Sequence, residues 1–73
     1  MKIPAKHHKF YVASINKLAQ RGQFEWRDLV NTVNGTDCEP KNWLVVRAVL
    51  QEVMHTGKIV RDADLRVERY IAV

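Results

Sequence analysis

Cysteine is nearly absent from this sequence, where Cys38 stands alone. A single thiol excludes an internal disulfide and suits a reducing compartment, the cytoplasm or the nucleus. No apolar run approaches the ~20 residues that a membrane span requires. Residues 1–9, MKIPAKHHK, are basic and lack the apolar stretch of a secretory signal, so a cytoplasmic protein without a membrane partner is expected. A glycine-rich phosphate loop is missing, and so is any nucleophile–base set. Glu52 and His55 stand one helical turn apart, which fits a surface pair and falls short of acid–base catalysis. His7, His8, Cys38 and His55 match none of the closed zinc spacings. No enzyme, no cofactor and no metal are expected. Internal repeats and low-complexity tracts are also lacking.

What the chain does contain is ordinary globular material. Its 73 residues are 47% apolar and 27% charged, enough for one small domain covering residues 1–73. A core of this size is marginal, so a dimer or a bound partner would add to its stability. The net charge is +4, and it is unevenly spread. Residues 1–22 hold Lys2, Lys6, Lys9, Lys17 and Arg21 with no acid, giving +5. Residues 23–40 set Arg27 against Glu25, Asp28, Asp37 and Glu39, giving −3, and residues 41–73 give +2. This polarity suits a polyanionic partner, although lysines that only solvate a helix face would look the same.

Helical spacing places a first helix over about His7–Arg21, with Tyr11, Ile15 and Leu18 inward and Val12 and Ala19 beside them. Lys6, Lys9 and Lys17 fall on the other side, and Phe10 lies off the stripe. Gly22 ends this helix. Gln23-Phe24-Glu25 suits a brief extended piece. Trp26–Val33 reads as a short second helix with Trp26, Leu29, Val30 and Val33 on one face, and with no good N-cap. Residues 34–39, NGTDCE, are a loop, in which Asp37 offers a cap and Glu39 a favourable charge to the next helix. That helix is expected over residues 40–56, with Pro40 at its first position and Val46, Leu50 and Val53 inward, flanked by Trp43, Val49 and Met54. Gly57 closes it. Two β-type runs follow, Lys58–Arg61 and Leu65–Val73, joined through Asp62-Ala63-Asp64 as a hairpin. In the second run Leu65, Val67, Arg69, Ile71 and Val73 share one side, and Arg66, Glu68, Tyr70 and Ala72 the other. Trp26 and Trp43 would be base-stacking groups in a single-strand binder. On apolar faces, core packing is the expectation for both.

The expected class is α+β. The order of elements, with Gly22-Gln23-Phe24 leading to Trp26–Val33 and then Val46-x-x-x-Leu50-x-x-Val53-x-x-x-Gly57-Lys58-Ile59-Val60-Arg61, resembles the winged helix-turn-helix domains. These are three-helix modules with a C-terminal β-hairpin wing. The resemblance covers nearly the whole chain and implies a small protein that binds double-stranded DNA, a transcriptional or replication regulator. It would use the 40–56 helix in the major groove and the 58–73 wing on the backbone or minor groove. By position, Lys41, Leu44, Val45 and Ala48 would face the groove, with Arg47 at its edge. Arg47 would suit guanine, Lys41 a phosphate, and Asn42 an adenine if its side chain is free. Arg61 and Arg66 would flank the wing tip, while Arg27, Lys6 and Lys9 would hold the duplex from the sides. Leu44, Val45 and Ala48 depart from the usual polar pattern. They leave a second reading open, a homodimer seam or a docking face for another protein without direct DNA binding.

Overall fold

Tyr11, Ile15, Leu18 and Ala19 recur at helical spacing and close one side of helix α1, Ala5–Gln20. The computed structural model describes residues 3–63 and 68–72. In it α1 begins two residues before the expected His7, because the Pro4 carbonyl already accepts from the His8 N–H at 2.9 Å. Phe10 lies inside this helix, half-buried against the core and edge-on to Tyr11. The helix ends with the Gly22 N–H donating to the Ala19 carbonyl at 3.1 Å, and Gly22 takes φ +119°. That value lies in the region open to a residue without Cβ.

Strand β1, Phe24–Glu25, leads directly into α2, Trp26–Val33. The expectation of a poorly capped α2 is corrected. Glu25 and Asp28 form a reciprocal capping box, in which the Glu25 N–H donates to Asp28 Oδ2 at 2.9 Å and the Glu25 carboxylate accepts from the Asp28 N–H. Carboxylates do here what Ser and Glu do in the usual box, and their charge suits the positive helix end.

The long helix starts later than Pro40. Helix α3 spans Leu44–His55, and Pro40–Trp43 lie outside it. Asp37 is not its cap. The Leu44 N–H instead donates to Asn42 Oδ1 at 3.0 Å. Glu39 is engaged elsewhere too, accepting from the Gly35 N–H at 3.0 Å. The physical reason is the loop between α2 and α3. Cys38 is 3% exposed, and its carbonyl accepts from the buried Tyr11 hydroxyl. This pins the loop to α1, and the next residues are spent returning to the helix start. At the other end Thr56 Oγ1 donates to the Val53 carbonyl at 2.6 Å, and Gly57, with φ +83°, turns the chain.

Strands β2, Ile59–Ala63, and β3, Glu68–Ala72, form an antiparallel hairpin. Asp62 and Ala63 therefore belong to the strand, not to a three-residue connection, since Ala63 pairs with Glu68. Leu65, Arg66, Val67 and Val73 lie outside the described residues. β1 joins β3 on its other side, pairing Phe24 with Tyr70 and giving the sheet order β1-β3-β2. The Phe24 and Tyr70 rings lie 5.4 Å apart between centroids. Together with Ile59 they bring the sheet into one core with Tyr11 and Ile15 of α1, Leu29 and Val33 of α2, and Val46, Val49, Leu50 and Val53 of α3. The protein is an α+β structure of three helices and a small three-stranded antiparallel sheet. Among the described residues no helix is long and apolar enough to cross a membrane.

Candidate nucleic-acid interface

Helix α3 is divided sharply by its own periodicity. Val46, Val49, Leu50 and Val53 are buried, and Leu44, Ala48, Gln51 and His55 form an exposed stripe on the far side. Leu44 is 60% exposed, the largest apolar residue so uncovered among those described. Val45 is different. It is half-buried and packs against the core, so it leaves the outward set expected from the sequence. The helix is not apolar all round, and its uncovered apolar groups are Leu44 and Ala48.

Cations border this stripe. Arg47 is half-buried on one flank, with its guanidinium carbon 5.9 Å from the centre of the Trp26 ring. This cation–π contact sets the guanidinium against the first residue of α2. Trp26, Lys41, Asn42, Trp43, Leu44 and Arg47 together line a shallow open groove where α2 begins and the chain approaches α3. Both tryptophans are half-buried against the core, so neither is a free stacking platform. Lys41 is exposed on the approach and not on the helix. Asn42 is exposed as well, but its carboxamide oxygen is committed to capping α3, which removes the free amide expected for reading adenine.

Arg27 is exposed in the first turn of α2, 3.9 Å from the Glu25 carboxylate, a surface pair of little energetic weight. On the other flank of α3, Glu52 accepts from His8 Nε2 at 3.2 Å, not from His55 as the sequence spacing implied. This contact sets the first turns of α1, which carry exposed Lys6 and Lys9, beside the second half of α3. Arg61 is exposed on β2, on the face it shares with its cross-strand partner Tyr70. Arg66 lies outside the described residues. No group of three or more metal-ligating side chains occurs among the described residues.

The structure thus brings Lys41, Leu44 and Arg47 to one neighbourhood around the start of α3, with Ala48 one turn further along the helix, while the contact shown for Arg27 is with Glu25. No family model, curated protein or solved structure matches this chain. Its function is therefore argued from its own residues. Sequence reasoning overlooked Gln51, which stands three residues after Ala48 and seven after Leu44. That spacing alone would have placed it on the same stripe.

Proposed function

We propose that the chain is a winged helix-turn-helix module that binds double-stranded DNA and serves as a transcriptional or replication regulator. The single observation that carries this reading is the open outer face of α3, bordered by Arg47 and Lys41. The topology supports it. The element order helix–strand–helix–helix–hairpin and the sheet order β1-β3-β2 are compatible with a three-helix module whose hairpin serves as a wing. A helix of 12 residues is about 18 Å long at 1.5 Å per residue and fits a major groove about 12 Å wide. Arg47 sits at the groove edge, and Lys41, Arg27, Lys6 and Lys9 supply phosphate contacts around it.

A second reading is favoured by the exposure of Leu44 and Ala48, which suits a homodimer seam or another protein. A salt titration of binding to random duplex distinguishes the two. Phosphate contacts predict a log–log slope of about −0.9 for each phosphate neutralised. Arg47→Ala should weaken binding without loss of fold, as checked by circular dichroism. Absence of duplex binding even at low salt would sink the DNA reading.

A further inference from the structure

The exposed stripe of α3 consists of two apolar side chains, a carboxamide and an imidazole: Leu44, Ala48, Gln51 and His55. We infer that Leu44, Ala48 and Gln51 read A·T base pairs in the major groove, with the thymine 5-methyl groups as the principal ligand of Leu44 and Ala48. This inference rests on the duplex-binding reading above and adds to it the chemical class of site recognised.

Three observations lead there. First, the centre of the outward stripe carries no lysine or arginine. Leu44, Ala48, Gln51 and His55 occupy it, and Arg47 lies on its flank with its guanidinium over Trp26. Guanine presents two acceptors that are best matched by a cation, so the stripe's centre is poorly suited to G·C. Second, Leu44 is 60% exposed and Ala48 is exposed one turn further on. The thymine methyl is the apolar group that the major groove offers to such side chains. Leu44 and Ala48 are about 6 Å apart along the helix axis, close to two base steps of about 3.4 Å. Third, Gln51 completes the same face with a carboxamide, whose donor and acceptor match adenine N6 and N7. Glu52, the acid bordering this face, is held toward α1 by His8 and so stays at the margin of the groove.

The experiment uses the full chain and four alternating duplexes: dA-dT, the same duplex with uracil for thymine, dG-dC, and dG-dC with 5-methylcytosine. Burial of one methyl is equivalent to about fourfold in affinity, so loss of two contacts should weaken binding to the uracil duplex about fifteenfold. 5-Methylcytosine should strengthen binding to the G·C duplex. Leu44→Ala should bring the thymine-to-uracil ratio toward unity while the salt slope stays constant, because no phosphate contact is removed. Gln51→Ala should reduce the preference for A·T over G·C and leave the methyl effect in place. Equal affinity for the thymine and uracil duplexes, or a ratio that Leu44→Ala does not change, overturns the inference and leaves the DNA reading standing. Failure to bind any duplex at low salt overturns both.

Discussion

Tyr11 couples two parts of the chain with one hydroxyl. Its ring is buried in the core, and its O–H donates to the carbonyl of Cys38 in the loop before α3. Burial raises the phenol above its usual pKa, and the neighbouring Cys38 adds to the shift. An unfolded tyrosine loses its proton near pH ~10, earlier than Tyr11 does in the fold. The contribution of this proton to stability is therefore complete below about pH 10 and lost as pH rises through the higher folded value. Tyr11→Phe leaves a buried carbonyl without its donor and should cost about 1–3 kcal/mol at neutral pH. Urea denaturation across neutral and alkaline pH checks both parts. An alkaline fall in stability of equal size in the two proteins would show that Tyr11 is not its source.

At the scale of elements, α2 owes its start to two carboxylates. Asp28→Ala removes the acceptor of the Glu25 N–H and should cost about 0.5–2 kcal/mol, read from the shift in urea midpoint. No change would mean that tertiary packing alone sets the start of α2. The span Trp26–Val33 was legible in the sequence because its apolar positions follow a helical period with little competition. The inward face of α3 was legible for the same reason. Its first turn was not. Pro40 after Asp37 and Glu39 carries the local signals of a helix start, but the Tyr11–Cys38 contact spans 27 residues and leaves no local mark. The candidate interface divides in the same way. The exposure of Leu44 and Ala48 follows from periodicity, whereas the burial of Val45 depends on neighbours distant in sequence. Gln51 follows from the same spacing as Leu44 and Ala48, whereas the Asn42 oxygen, expected to face adenine, accepts from the Leu44 N–H because the helix begins later than Pro40.

For the whole molecule, the exposed Leu44 and Ala48 face bears on self-association. If the Leu44 and Ala48 face forms a seam, sedimentation should show a concentration-dependent dimer that Leu44→Glu abolishes. Leu44 is exposed, so this substitution should leave the monomer folded. A monomer at all concentrations, before and after the change, removes the seam. The sheet carries a different consequence, one of timing. β1 is two residues long, and its partner residues, Tyr70 and Arg69, lie more than forty positions downstream. The helices and the β2–β3 hairpin join residues close in sequence and form early, while β1–β3 closure must wait for a long loop to be drawn in. During synthesis Phe24 therefore remains without its aromatic neighbour until residue 70 has been added, and the pairing of β1 closes only as β3 emerges.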